Sequence, residues 1–223
     1  MTRTVEDRAL SRAELQALGP EPAVLTNVDL EEGDLAGLAL VGWTFERCRL
    51  TRTRLFEAKL EGTRWLGCRA GHADFTGADL SEAVVRSGDF NNARFRRAKL
   101  GGAGFTGCKL TGADFTDARM LGTAFEEALL VAARMPGVSF RKAMLRRLDF
   151  SQADLSRADF REAVLEECSL KDAVLEDARF EGADLRGADL GGLKLAKATA
   201  FRGAVISAKQ AGQLLSELGL VVR

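Results

Sequence analysis

At 223 residues the chain is long enough for one domain, and its 32 basic side chains balance its 32 acidic ones. Neutrality leaves no net field to draw it to nucleic acid or to an anionic membrane surface. No stretch approaches twenty consecutive apolar residues and the first residues carry no apolar signal core, so a cytoplasmic location is expected.

The first expected element is a short helix. Ser11-Arg-Ala-Glu14 has capping-box spacing, Leu15 and Leu18 form an apolar stripe, and Gly19-Pro20 stops the helix. Residues 1–20 are read as an N-terminal cap.

From Leu25 to Leu195 every fifth residue is apolar, an unbroken run of 35 positions. Two residues before each stands a mostly small one, as in Ala73, Ala78, Ala83, Gly88, Ala93 and Ala98. A period of five belongs neither to a helix nor to a plain strand. A three-residue strand followed by a two-residue turn produces it: the small and the large residue point inward, and the residue between them points outward. The second turn residue is Gly in 13 of the 35 units, where a turn favours positive φ. Each unit is then one side of a polygon. Cys48, Cys68, Cys108 and Cys168 all fall in the small inward column, separated by 20, 40 and 60 residues. Coils of twenty residues, hence four sides, would stack them on one inner edge. At about 4.8 Å between stacked strands, nearly nine coils would make a rod of roughly 42 Å. Trp43, Leu38, Val138 and Leu148 enlarge the small column and Ala70 shrinks the large one, with Trp43 expected to fill space beneath the N-terminal cap.

The units Ala73-Asp-Phe-Thr-Gly, Ala113-Asp-Phe-Thr-Asp, Ala153-Asp-Leu-Ser-Arg and Ala183-Asp-Leu-Arg-Gly resemble the pentapeptide-repeat family, whose motif is A-(D/N)-L-x-x. The resemblance implies an all-β fold, a right-handed quadrilateral β-helix, here over residues 21–200 with short N- and C-terminal capping helices. The hand comes from the resemblance alone.

After Leu195 the count of five decays through Ala200, Val205 and Gln210. Residues 201–223 are read as a C-terminal helix and tail. Ser207 opens a helix over 208–218 with Ala211, Leu214, Leu215 and Leu218 on one face, Gly219 ends it, and Leu220-Val221-Val222 follows. This is more apolar than a lid requires. Gln210, Ala211, Leu214, Leu215, Leu218, Gly219 and Val222 resemble the C-terminal module of the quinolone-resistance (Qnr-type) members, in pattern Q-A-x-x-L-L-x-x-L-G-x-x-V. That resemblance implies a homodimer joined through Leu214, Leu215, Leu218, Leu220, Val221 and Val222. It further implies a protein that binds DNA gyrase or topoisomerase IV and protects it from topoisomerase poisons. A generic bacterial scaffold or regulator with another protein partner is the alternative.

Catalysis is not expected, because a filled solenoid offers no concave site with convergent polar groups. One histidine, His72, and the lack of any C-x-x-C pair argue against a zinc site, and no cofactor or metal is expected. The cysteines read as core-filling thiols. The repeat aspartates, such as Asp74, Asp114, Asp154 and Asp184, read as solvated groups hydrogen bonding along the coil. Function is therefore placed on the outer walls, where charge is banded. Arg86, Arg94, Arg96, Arg97 and Lys99 form one basic belt, and Arg134, Arg141, Lys142, Arg146 and Arg147 another. Glu162, Glu166, Glu167, Asp172, Glu176, Asp177 and Glu181 form an acidic belt, and Asp29, Glu31, Glu32 and Asp34 a smaller one. In a dimer joined at the C-termini the larger acidic belt would lie near the centre, and it is the expected contact for the positively charged DNA saddle of a type II topoisomerase.

Overall fold

The computed structural model describes residues 3–192, 199–217 and 219–221. It resolves into two compact units, Met1–Ala128 and Leu129–Arg223.

The first unit holds seven parallel strands: β1 Arg3–Glu6, β2 Ala23–Thr26, β3 Thr44–Glu46, β4 Arg64–Leu66, β5 Val84–Arg86, β6 Gly104–Thr106 and β7 Ala124–Glu126. Each pairs with the next at an offset of twenty, as Leu25↔Phe45, Phe45↔Trp65 and Val85↔Phe105 show. The other three sides are joined by single parallel bridges at the same offset, among them Asp29↔Arg49, Asp34↔Arg54 and Ala39↔Lys59. The winding is thus a four-sided parallel β-solenoid with five residues per side.

The repeat unit folds this way because each of its five positions has one task. The large residue and the small one two before it are buried, as are Phe75 and Ala73, Leu80 and Ala78, and Phe95 and Ala93. The residue two after the large one takes positive φ, whether Gly or not, as at Gly37, Glu57, Arg97 and Asp117. A left-handed residue there closes a tight turn, in which the N–H of the next small residue reaches back to the large residue's carbonyl (Ala73 to Ala70, 3.1 Å; Ala98 to Phe95, 3.0 Å). The left-handed residue spends its own N–H on the next coil, Gly37 to Phe56 O at 2.8 Å and Glu57 to Thr76 O at 3.0 Å. At Gly112 φ is +68°, a conformation the same slot imposes on Ala132 (53°), and a Cβ there would require the Asn92 side-chain amide of the coil before it to turn aside.

The motif aspartate caps its own turn. Oδ1 of Asp74 accepts the N–H of Thr76 at 3.0 Å, Oδ1 of Asp114 that of Thr116 at 2.9 Å, and Oδ1 of Asp154 that of Ser156 at 3.0 Å. All eleven aspartates directly preceding a large inward residue make this bond. The bond expected along the coil is therefore an Asx turn within it, which holds the chain in the bend.

Stacking fills the interior. Phe45 lies on Trp65 with ring centroids 4.1 Å apart, and Phe75, Phe95 and Phe115 form a pile with 4.9 Å between neighbours. Cys48, Cys68 and Cys108 are free and buried on one inner column. Their thiols face the carbonyls of Leu25 (3.2 Å), Phe45 (3.2 Å) and Val85 (3.5 Å), each 23 residues earlier. Thr53 Oγ1 donates in the same way to Leu30 O at 2.7 Å, which is why a buried hydroxyl is tolerated. Burial pushes the Cys108 thiol up, as expected for an inert core filler. Trp43 is fully buried, and its Nε1 has no hydrogen-bond partner among the described residues.

The winding begins earlier than the sequence reading placed it. β1 pairs with β2 in the twenty-residue register, and Ala9 bridges Asp29. Helix α1, Arg12–Ala17, is built into this first coil, with Leu10 and Leu15 buried one coil before Leu30 and Leu35. Its capping box is formed: Ser11 Oγ accepts the N–H of Glu14 (3.3 Å), and Glu14 Oε2 accepts that of Ser11 (2.8 Å).

In the second unit β8 Met144–Arg146 and β9 Val164–Glu166 pair in parallel, again twenty residues apart. Phe160 stacks on Phe180 at 4.8 Å. Above them the offset becomes 21: Phe180 stacks on Phe201 at 4.7 Å, and Asp184 bridges Val205. The offset of twenty still holds at Ser169↔Asp189 and has become 21 at Asp184↔Val205; Leu195 lies outside the described residues. The ladder expected to end at 200 reaches Val205, and Phe201, not Ala200, takes the large position. Helix α2, Ala208–Glu217, follows.

Candidate interaction surfaces

The side chains available for function are those between and beyond the inward columns. The seven acids of the larger belt span 162–181, which is one twenty-residue coil. The structure therefore spreads them around that coil. Glu166 and Glu167 sit on the side of Leu165, Asp172 on that of Leu170, Glu176 and Asp177 on that of Leu175, and Glu162 and Glu181 on the stacked sides of Phe160 and Phe180. No side carries more than two. A partner that meets one wall meets a fraction of this collar.

The collar is also partly neutralised by the coil beneath it. Glu162 pairs with Arg141 at 3.1 Å and Lys142 at 3.5 Å, and Glu166 with Arg146 at 2.8 Å. Arg141's hydrogen bond holds the Glu162 carboxyl below the usual glutamate range. Glu181 faces Arg179 at 3.5 Å, while its Oε2 is buried with no hydrogen-bond partner among the described residues. The smaller acidic belt is paired too. Asp29 and Glu31 meet Arg49 (3.3 and 2.8 Å), Glu32 meets Arg52 (3.5 Å), and Asp34 meets Arg54 (3.6 Å). Within the basic belt of the first unit, Arg94 and Lys99 pair with Asp74 and Asp79 one coil earlier (3.6 and 2.7 Å). Arg86, Arg96 and Arg97 meet no acid among the described residues. Half-exposed pairs of this kind are worth about 0–1 kcal/mol each. Their larger consequence is that the outer walls present mixed charge.

The C-terminal helix forms the second surface. Ser207 caps it, its Oγ accepting from Gln210 N at 3.2 Å while Gln210 Oε1 accepts from Ser207 N at 2.7 Å. Gln210 and Leu214 are buried. Gln210 Nε2 donates to Leu185 O (2.6 Å) and Ala188 O (2.8 Å) of the last coil, and Glu217 Oε2 accepts from Gly192 N (3.2 Å). One side of α2 is thus committed to the coil beneath. Of the six residues expected at a dimer contact, Leu214 is turned into the chain's own coil. Leu215, Leu220 and Val221 stand out, 39 %, 55 % and 83 % exposed. Leu218 and Val222 lie outside the described residues. Sequence reasoning missed the part played by Gln210, although the spacing Ser207-x-x-Gln210 is itself a capping-box signal.

Together these features define a β-solenoid protein wound from five-residue units, whose inward positions among the described residues are filled by apolar and small side chains. The chain belongs to the pentapeptide repeat family: the family model, described as pentapeptide repeats, matches residues 48–86, 89–123, 122–161 and 153–192 in eight copies. No curated protein matches it. Among solved structures it is similar to a trypsin-treated variant of QnrB1, a plasmid-mediated fluoroquinolone resistance protein, with a TM-score of 0.79 and 23% identity over 90% of this chain and 100% of that one. Full-length QnrB1 gives 0.68 at 21% identity over 99% of both chains. HetL of the cyanobacterium Nostoc, a pentapeptide repeat protein involved in heterocyst differentiation regulation, gives 0.53 at 22% identity over 90% of this chain and 84% of that one. Identities this low speak for the fold.

Proposed function

We propose that this protein is a non-enzymatic, cytoplasmic binding protein that dimerises through its C-terminal segment, engages DNA gyrase or topoisomerase IV and protects it from topoisomerase poisons. The observation that carries this reading is the C-terminal module. A helix is latched to the end of a filled solenoid by one side and leaves Leu215, Leu220 and Val221 in solvent. A lid alone needs only the buried side, and exposed apolar residues clustered at one end favour a protein contact. The Qnr-type spacing of this segment and the likeness of the fold to QnrB1 support the choice of partner.

A second reading is favoured by the ion-paired collars. Mixed-charge walls suit recognition of a protein surface other than a DNA saddle, as a scaffold or regulator would require. Binding of purified gyrase to immobilised protein separates the two, with a quadruple charge reversal of Glu166, Glu167, Glu176 and Asp177 as the second arm. The topoisomerase reading expects wild-type binding and its loss on reversal with the fold retained. No binding by wild type refutes that reading, and binding that survives reversal refutes the central acidic contact.

A further inference from the structure

Carbonyls at the end of a solenoid lose the partners that the next coil would supply. Inside the second unit, Cys168 O accepts Asp189 N from the coil above at 2.9 Å, and Leu145 O faces Cys168 Sγ, 23 residues on, at 3.5 Å. Beyond Leu185 and Ala188, one coil further, the ladder among the described residues continues only as far as Val205, whose carbonyl takes the N–H of Leu185 at 2.9 Å, and Leu185 O accepts Ala188 N within its turn at 3.0 Å. The carbonyls of Leu185 and Ala188 are both met by a single side chain, the Gln210 carboxamide, at 2.6 and 2.8 Å. Both Nε2 hydrogens are used, and Oε1 accepts from Ser207 N at 2.7 Å. The group behaves as a detached peptide unit standing where another coil's backbone would be.

Its place in the helix gives this a consequence. Gln210 lies in the first turn of α2, between the Ser207 cap and the buried Leu214, so the latch fixes both the position and the rotation of the helix. With Gln210 and Leu214 directed at the coil, Leu215 is directed away, and Leu220 N bonds back to Leu215 O at 3.0 Å. We infer that Gln210 is the positioning residue of the assembly surface: by replacing a missing coil's peptide it orients Leu215, Leu220 and Val221 toward a second copy of the chain. The inference rests on the dimeric reading above and names the residue on which that surface depends.

The test uses the full chain, with dimer affinity from analytical ultracentrifugation and α2 protection from hydrogen–deuterium exchange. Gln210→Ala takes the side-chain donor from Ala188 O and leaves Leu185 O with the turn N–H of Ala188 alone. It should weaken the dimer at least about tenfold and cut α2 amide protection by a similar factor, with exchange in the β8 and β9 coils unchanged. Gln210→Glu keeps the shape but sets a carboxylate against two carbonyls. Burial and that repulsion raise the new carboxyl's pKa, so dimerisation should be lost at pH 7.5 and largely regained at pH 5.5. Gln210→Ala should show no such recovery, and this pH signature is one that mere loss of packing would not give. Leu215→Asp should abolish the dimer with α2 still protected. Gln210→Ala that dimerises like wild type with a protected α2 overturns the latch alone. A wild-type chain that stays monomeric at every concentration overturns the dimeric reading, and the inference with it.

Discussion

Phe95 and Phe56 are the same residue in different slots of the five-residue unit, and the architecture assigns them very different worth. Phe95 occupies the large inward position and is fully buried. It lies between Phe75 and Phe115, 4.9 Å from each with rings nearly parallel, and meets Phe105 edge-on at 5.9 Å. Phe56 comes one residue after the large position and is 40 % exposed. Phe95→Ala removes a buried ring whose neighbours are held by their own coils and cannot collapse, so the cost should be about 3–5 kcal/mol. Phe56→Ala should cost about 1 kcal/mol or less. Because repeat stacks draw their stability from nearest neighbours, the Phe95 deficit should concentrate in the coils holding Phe75 and Phe115. Equilibrium urea unfolding measures the totals, and native-state amide exchange locates them. Equal costs for the two substitutions, or a Phe95→Ala cost below about 1 kcal/mol, would refute the slot assignment on which the fold account stands.

Three further perturbations probe separate parts of the structure. Gly112→Ala and Gly62→Ala each place a Cβ at positive φ, as the native Ala132 does, and should each cost about 1 kcal/mol, because the Asn92 side chain that Gly112→Ala would meet can turn aside; urea midpoints compare them, and a Gly112→Ala cost several-fold the larger would contradict this. Trp43→Phe and Trp65→Phe delete the same atoms, but only Trp65 Nε1 has a partner, Thr63 Oγ1 at 2.9 Å. Trp43→Phe should therefore be the milder change by about 1–3 kcal/mol in thermal or urea melts, and the opposite order would contradict the hydrogen-bond assignment. Stability should also depend on acid in a defined window. Arg49 and Arg141 hold Glu31 and Glu162 below the ordinary glutamate value of 4.5, and Arg161 and Arg186 hold Asp159 and Asp184 below the ordinary aspartate value of 3.8. These depressed carboxyls contribute fully above the unfolded values and lose their contribution as pH falls through the folded ones, so urea midpoints should be level from pH 7 to about 5 and decline below about 4.5.

Much of this fold is legible in the sequence, for a physical reason. A square coil repeats one five-residue environment, so large and small inward slots recur at fixed intervals, and the cysteine spacing agrees with four sides. The misses occur where another signal covers that period. Val5, Leu10 and Leu15 continue the count of five toward the N-terminus, but Ser11 and Glu14 announce a helix, and the helix is built into the first coil instead of merely covering it. The offset of 21 at which Phe201 stacks on Phe180 puts Phe201 in the place counted for Ala200, and a strict count cannot absorb it. The repeat aspartates read as solvated groups hydrogen bonding along the coil, and their position directly before the large residue makes that bond an Asx turn. The candidate surfaces were less legible. Residues 162–181 form a run in sequence but a ring in space, because one coil is twenty residues long. Leu214 and Leu215 share a helical stripe, yet Gln210 draws only Leu214 inward.

The proposed action of this molecule, through its outer surface, on a type II topoisomerase can be measured directly. The most direct measurement is DNA supercoiling by gyrase in the presence of a fluoroquinolone, titrated with the purified protein through the micromolar range, with a parallel series lacking the drug. The account predicts recovered supercoiling with drug, or inhibition without it, and loss of the effect in Leu215→Asp. Supercoiling unchanged in both series at every concentration would contradict it.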